Sequence, residues 1–286
     1  MTDRLRSLWD FDDLDASERR FRGLLATEAD DGARAEVLTQ LARIEGLRGD
    51  FAAGERLLSE AALLEASGAA SARIDLEHGR LHRSSGDDAA ALPFLESAFE
   101  TASQEGEGFL AADAAHMAAL AAPGRDGFVE WTERGIALAE SNEDARYWLG
   151  PLLNNLGWEH YEAGELDEAL RAFERALTER ERDPADAQAI AIARYAVAKT
   201  LRVLGRAPEA LTHIEQATAS ADDDGWFQEE LAETYSALGR ANEAAAHADR
   251  ALTLLPVADS AFERDKERKS RLQELANASR DRARPT

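Results

Sequence analysis

Two histidines lie four residues apart in the segment EHGRLH, at His78 and His82. Two imidazoles at this spacing lie on one face of a helix and could share a zinc ion. The segment lacks the glutamate of the HExxH metalloprotease motif, because glycine follows His78. The alternative is that both rings pack against a neighbouring helix.

Other catalytic signatures are missing from the sequence. It has no P-loop, no GxSxG elbow and no GxGxxG fingerprint. It also has no cysteine, which excludes disulfides, thiolate metal sites and cysteine nucleophiles. Paired carboxylates are abundant, but in so acidic a chain most of them are solvated. We therefore predict a protein that is not an enzyme, with no catalytic residues, no cofactor and no metal.

The charge of the chain limits its partners. The formal net charge is −23, and the pI is about 4.6. Such a surface repels the nucleic-acid backbone, so we expect no nucleic-acid partner. No stretch approaches the roughly 20 apolar residues that span a bilayer, and the N-terminus has no signal-peptide pattern. We expect a cytoplasmic protein with no membrane partner.

The stretch from Asn154 to Leu177 reads NNLGWEHYEAGELDEALRAFERAL and predicts two helices. Gly164 lies between them, and a glycine can end a helix and let the chain turn. Asp167 follows the turn, where a carboxylate is favoured beside the free N–H groups of a helix start. The stretch therefore predicts an αα-hairpin with a short turn.

The spacing of Leu156-Gly157, Gly164, Ala169, Phe173 and Ala176 resembles the tetratricopeptide repeat (TPR). The resemblance implies an all-α, right-handed α-solenoid of about six TPR-like hairpins with N- and C-terminal capping helices. The expected divisions are an N-terminal half-repeat or cap at 1–34, six repeats at 35–256, a capping helix at 257–279 and a disordered tail at 280–286. We expect Trp9 and Phe11 to cover the end of the stack, and Pro256 to end the last repeat helix.

We number each repeat so that its turn glycine is position 15. The repeats then begin at Ala35, Ala72, Gly108, Gly150, Ala191 and Gly225. His82 falls at position 11, where the family commonly places a tyrosine against the partner helix. The register therefore favours packing over zinc binding for this histidine.

The family resemblance implies that the first helix of each repeat lines a concave groove. Positions 2, 5, 9 and 12 would point inward, and position 6 would lie near the rim. The middle of this groove is basic, aromatic and amide-bearing, in contrast to the acidic chain. The candidate binding residues are Arg80, Arg83, His116, Asn154, Asn155, Trp158, Tyr161, Tyr195, Lys199 and Arg202.

Two interpretations of this pattern stay open. The arginines could pair with carboxylates such as Glu77 and Asp113, since exposed ion pairs are common. Alternatively they could bind a ligand, because arginine recognises carboxylates and phosphates in bidentate geometry. Aromatic side chains would then anchor a planar group, and Asn154 and Asn155 a peptide backbone.

The leading hypothesis is a non-enzymatic interaction scaffold that binds an acidic or carboxylate-bearing peptide in the groove. A second hypothesis is a sensor of a small ligand or signalling peptide that uses the same groove. A catalytic role for His116 as a base beside Arg80 is a third, and binding of a basic partner on the acidic second helices is a fourth. The oligomeric state stays open.

Overall fold

The computed structural model describes residues 4–64, 68–221 and 223–282. Contacts divide the chain into two compact units, Met1–Leu152 and Leu153–Thr286, with the division inside one helix. Fourteen α-helices and no strand occur among the described residues. The expected fold class, an α-solenoid of TPR-like helix hairpins, is confirmed.

The first unit is built from helices α1 to α7. Their bounds are α1 (Leu14–Thr27), α2 (Asp31–Leu47), α3 (Phe51–Ala62), α4 (Ala69–Ser84), α5 (Asp88–Gln104), α6 (Gly108–Ala121) and α7 (Gly124–Ser141). Short 3-10 turns lie at Arg6–Leu8 and Glu143–Trp148. The chain then enters α8 (Leu149–Glu162).

The second unit continues from α8 through six more helices. They are α9 (Leu166–Arg180), α10 (Ala187–Val203), α11 (Ala207–Thr218), α12 (Gly225–Ala237), α13 (Ala241–Ala258) and α14 (Lys266–Arg282). Helix α13 passes Pro256 and ends two residues later. A proline in the last turn removes one backbone donor, and this helix continues despite that loss. Residues 280–282 belong to α14, and the rest of the expected tail, 283–286, lies outside the described residues.

Glycines in the turns and acidic residues at the helix starts form the connections within the hairpins. Gly164 has φ +77° and Gly205 has φ +78°, a backbone conformation that favours glycine. Acidic loop residues cap the helices that follow. Asp50 accepts a hydrogen bond from Ala53 N at 2.9 Å, and Asp87 accepts one from Ala90 N at 3.0 Å. Some of the acidic loop residues therefore stabilise the first turns of helices.

The core lies between the helices of each hairpin and between neighbouring hairpins. Helix α4 packs against α5, α2 and α6, and α10 packs against α11 and α12. Small residues allow the close approach: a Cβ on Gly157 would lie 2.5 Å from ring carbons of Phe173. Ala169, Phe173 and Ala176 are all buried. Because these residues fill the interface between helices, the remaining face of each first helix can carry polar groups.

Candidate functional site

The inner positions of the first three repeats surround a cavity of about 130 Å³ in the first unit. Helices α2, α4 and α6 contribute residues at positions 2, 5, 6 and 9 of the repeat register, including Gln40, Arg43, Arg73, Glu77 and Arg80. Four arginines and two carboxylates line the cavity in a chain of net charge −23, and one of the arginines, Arg73, also pairs with Glu36 outside the lining at 3.7 Å.

Arg80 is buried in the wall of this cavity and pairs with two carboxylates. Its guanidinium donates hydrogen bonds to Glu77 on its own helix and to Asp113 on α6. Burial alone would lower the pKa of Arg80, but the two carboxylates raise it. Burial opposes ionisation of Asp113 as well, and the charge of Arg80 reverses this and lowers the pKa of Asp113. Arg80 therefore matches the ion-pair alternative of the sequence analysis.

Two other arginines lie over aromatic rings of segments outside the repeats. The Arg43 guanidinium is 5.3 Å from the Trp9 ring centre and 5.5 Å from that of Phe11. The Arg6 guanidinium is 4.0 Å from the Tyr147 ring centre. These are cation–π distances. The rings of Trp9, Phe11 and Tyr147 also line the cavity.

Two aromatic residues of the N-terminal segment, Trp9 and Phe11, line the cavity, and the Trp9 Nε1 donates to Gln40 Oε1 at 2.9 Å. The Trp9 ring also lies 5.3 Å from that of Phe21 in α1 and packs against the buried cluster of α1 and α2. The expected role of these two residues as a cover for the end of the stack stays a prediction.

Three residues that line the cavity have a side-chain nitrogen or oxygen that is closed to solvent and forms no hydrogen bond among the described residues. They are Glu77 Oε2, Trp148 Nε1 and Arg73 Nε, and the last of these lies 3.7 Å from Glu36 Oε2 in an ion pair. Glu77 is only 2% exposed, and its other carboxylate oxygen accepts from Arg80. A buried polar group without a partner is unfavourable, so each such atom calls for an explanation.

Arg83 and His116 are partly buried in the first unit but outside the lining of the cavity. The His116 ring lies 5.2 Å from Trp148. Burial lowers the pKa of His116, which favours a neutral ring at pH 7. Of the three candidates in this unit, only Arg80 reaches the cavity.

In the second unit, the candidate aromatic residues pack against the core. The Trp158 ring centre is 5.0 Å from that of Phe173 and 5.5 Å from that of Tyr161. Tyr195 stacks on Phe227 at 5.4 Å. All three candidates adjoin the same buried cluster. A packing role therefore accounts for much of the surface of Trp158, Tyr161 and Tyr195.

The candidate cations of the second unit also form hydrogen bonds within the protein. Arg202 donates in bidentate geometry to Glu230, with distances of 2.6 and 3.0 Å. Lys199 Nζ donates to the Tyr195 hydroxyl at 3.2 Å, and burial lowers the pKa of this lysine. The structure thus brings Tyr195, Lys199 and Arg202 together near Glu230.

Asn154 and Asn155 lie on α8 and are partly buried. Asn154 Oδ1 is buried and has no hydrogen-bond partner among the described residues. Because this oxygen is closed to solvent, a ligand donor cannot reach it in this conformation.

The two histidines of the EHGRLH segment both stack on one phenylalanine of the next helix. Ring centres of His78 and His82 lie 5.1 and 5.5 Å from that of Phe94. Within the described residues, no group of three His, Cys, Asp or Glu side chains is arranged to hold a metal ion. Packing thus explains both rings.

Sequence reasoning did not select the aromatic walls of the cavity. Trp9, Phe109, Tyr147 and Trp148 are absent from the candidate set, and so are Arg6 and the acids Glu77 and Asp113. The repeat register carries part of the signal, since Phe109 holds position 2 and both acids hold position 6. The other signal is the aromatic pair Tyr147-Trp148 in a segment between repeats.

No helix in the described parts of the chain has the length and hydrophobicity required to cross a bilayer.

Comparison with known proteins agrees with this architecture. Residues 150–183 match the family model described as tetratricopeptide repeat. No curated protein matches the chain by sequence. A chain of the crystal structure of the APC/C hetero-tetramer Cut9–Hcn1 is similar with TM-score 0.63 and 15% identity, covering 95% of this chain and 48% of that one. This protein thus spans about half the length of that relative.

Two further solved structures are similar in fold. BtubC (BKLC) from P. vanneervenii matches with TM-score 0.53 and 20% identity over 76% of this chain and 91% of its own. NprR in complex with its cognate peptide NprX matches with TM-score 0.52 and 16% identity over 98% of this chain and 84% of its own. At these identities the likeness concerns the fold.

Proposed function

We propose, from the premise that this chain is a tetratricopeptide-repeat protein, that it is a non-enzymatic scaffold that binds a protein or peptide partner. The partner carries acidic or carboxylate groups, and it binds on the inner face of the first unit. The observation that carries this proposal is the cavity itself, with four arginines against two carboxylates in a chain of net charge −23.

Arginines and aromatic rings together favour such a ligand. Arg80 is committed to Glu77 and Asp113, and the Arg43 guanidinium lies over the indole of Trp9 and contributes to the lowered pKa of Asp113. A guanidinium over a ring still presents N–H donors in its plane to a carboxylate. Phe11 is 60% exposed and Tyr147 43%, so the mouth of the cavity offers apolar surface to a partner.

A structural neighbour gives general support. NprR, whose fold is similar, forms a complex with its cognate peptide NprX. The second unit is a weaker candidate for an anion site, because Arg202 is already paired with Glu230 in bidentate geometry. We propose that Asn154, Asn155 and the packed rings of Trp158, Tyr161 and Tyr195 mainly support the fold.

The proposal is tested by charge reversal in the cavity wall. We expect Arg43→Glu to weaken capture of fluorescein-labelled peptides rich in Asp and Glu by about tenfold or more, which corresponds to about 1.4 kcal/mol. Fluorescence anisotropy measures the affinity, and circular dichroism checks that helicity is unchanged.

The matched control is Arg56→Glu, which makes the same charge change at an exposed site on α3 of the same unit. It should bind the peptides as the unmodified protein does. Equal loss in both variants, or undiminished capture by Arg43→Glu, would contradict the proposal.

A further inference from the structure

One arginine of the cavity wall, Arg6, differs from the other three in its surroundings. Arg73 and Arg80 form ion pairs with carboxylates, and the positive charge of Arg43 acts on Asp113, whose pKa it helps to lower. The side chain of Arg6 is exposed, and among the described residues it forms neither an ion pair nor a hydrogen bond. Its charge is therefore the one in the wall that the protein itself leaves without a carboxylate.

Two aromatic rings hold Arg6 in place. Its guanidinium lies 4.0 Å from the ring centre of Tyr147 and 5.7 Å from that of Phe109. A ring contacts the face of a guanidinium, whereas the N–H donors point outward in the guanidinium plane. A group that arrives from solvent can therefore bind these donors without displacing the rings. Because the rings already order the side chain, binding costs less conformational entropy than it would at a mobile arginine.

Apolar ring surface adjoins the same cavity. Tyr147 and Phe11 are both exposed, and both line the cavity together with Arg6. The Phe11 ring stacks on Trp9 with ring centres 4.7 Å apart, so its position is also fixed. Exposed, ordered rings favour contact with an apolar group of a partner.

A carboxylate is the group that suits Arg6 best. Its two oxygens lie in one plane and match the fork of N–H donors, which gives a bidentate pair. An ammonium group has only donors and would be repelled by the guanidinium charge. A neutral side-chain amide offers a single acceptor oxygen and no charge, so its contact with Arg6 is weaker.

We infer that Arg6 binds a carboxylate side chain of the partner peptide through its N–H donors, while a neighbouring apolar side chain of the peptide lies on the rings of Tyr147 and Phe11. The inference rests on the proposed function and adds the residue that selects the acidic group. It also makes the segment before the first helix, outside the repeats, part of the binding surface.

The test uses a fluorescein-labelled peptide of repeating Glu-Leu-Gly units and a second peptide with Gln in place of Glu, both with an amidated C-terminus. We expect Arg6→Gln to weaken binding of the Glu peptide about tenfold, because the bidentate contact is lost. The Gln peptide should bind Arg6→Gln and the unmodified protein alike. Fluorescence anisotropy measures the affinities.

This comparison separates recognition from a structural effect. If Arg6→Gln weakens both peptides equally, Arg6 only shapes the N-terminal segment and the inference is overturned. The inference is also overturned if Arg6→Gln binds the Glu peptide as tightly as the unmodified protein does.

The matched control is Arg19→Gln in α1. Arg19 is also exposed and forms no ion pair among the described residues, but it lies outside the lining of the cavity. This variant makes the same change in net charge and should bind both peptides as the unmodified protein does. A loss equal to that of Arg6→Gln would assign the effect to net charge and overturn the inference.

A third peptide tests the apolar contact, with Ser in place of Leu and all carboxylates kept. We expect the unmodified protein to bind it severalfold more weakly than the Glu-Leu-Gly peptide, because less apolar surface is buried on the rings. Equal affinity of these two peptides would overturn the role given to Tyr147 and Phe11.

The inference and the proposed function can fail separately. If Arg43→Glu weakens capture of acidic peptides but Arg6→Gln does not, the proposed function stands and the assignment of Arg6 fails. If no acidic peptide binds the unmodified protein, both are overturned.

Discussion

Arg80 combines a structural role with a place in the proposed binding site. Its side chain is 11% exposed, and its guanidinium joins Glu77 and Asp113 from two neighbouring first helices. Removing one member of a buried ion-pair network leaves the other charges buried without a counter-charge. The resulting loss of stability is far larger than the net contribution of the intact network to stability. Arg80 is therefore a poor choice for testing ligand binding and a good one for testing stability.

We expect Arg80→Met to lower the free energy of unfolding by about 3–5 kcal/mol at pH 7, because two buried carboxylates lose their counter-charge. Urea unfolding followed by circular dichroism measures this. Arg83→Met, one turn further along α4 and outside the ion-pair triad, should cost far less. A loss in Arg80→Met no larger than in Arg83→Met would show that the triad does not stabilise the fold.

The same variant has a defined pH dependence. The pKa of Asp113 is lowered in the folded protein, so its contribution to stability is present above the unfolded value of about 3.9 and is lost as pH falls through the folded value. The difference in stability between the unmodified protein and Arg80→Met should therefore shrink as pH falls below about 4. A difference that stays constant down to pH 2 would contradict this.

At the scale of the helices, Gly157 at position 8 of the fourth repeat allows the two helices of its hairpin to pack closely. Gly157 of α8 faces the fully buried ring of Phe173 in α9, and no room exists for a methyl group between them. Alanine is otherwise the better helix former by about 1 kcal/mol. Overpacking a core costs about 1–3 kcal/mol, so the steric effect should win.

Gly157→Ala should therefore destabilise the protein by about 1–2 kcal/mol. The comparison is Gly23→Ala in α1, where an added Cβ meets nothing within 4 Å and helix propensity should raise stability slightly. Thermal and urea unfolding of the two variants should move in opposite directions. A gain in stability for Gly157→Ala would mean that Phe173 can shift aside.

The helices also show what can be predicted from this sequence. The hairpins, the glycine turns and the buried positions follow from local signals. A turn glycine, a small residue and an apolar residue recur in several copies at the spacing of Gly164, Ala169 and Phe173. The cavity does not follow in this way. Its walls include Trp9 and Trp148, which lie in non-repeat segments, and no periodicity places such residues on a helix face. Likewise, the pairing of Arg202 with Glu230 joins residues 28 positions apart, and only tertiary structure selects it from many alternatives.

At the scale of the whole molecule, the net charge of −23 opposes the arginines that we place in the binding site. An acidic peptide meets long-range repulsion before it reaches the local attraction of the cavity. Salt weakens the long-range repulsion more than it weakens the attraction inside the cavity. The Debye length falls from about 30 Å at 0.01 M to about 8 Å at 0.15 M, whereas buried charge pairs are screened much less.

We therefore expect the association rate of a peptide rich in Asp and Glu to rise severalfold between 0.01 and 0.15 M NaCl, measured by stopped-flow fluorescence. An uncharged peptide of the same length should associate at a nearly constant rate. A steady fall of the rate for the acidic peptide would indicate attraction at long range and would contradict this expectation.

The walls of the cavity have an optical consequence. Trp9 and Trp148 are two of the five tryptophans of the chain, and both border the same small space. Indole emission responds to the polarity around the ring, and a side chain entering the cavity replaces solvent beside both rings. The protein therefore carries an intrinsic fluorophore pair, and occupancy of the cavity can be followed in the native chain without any attached dye.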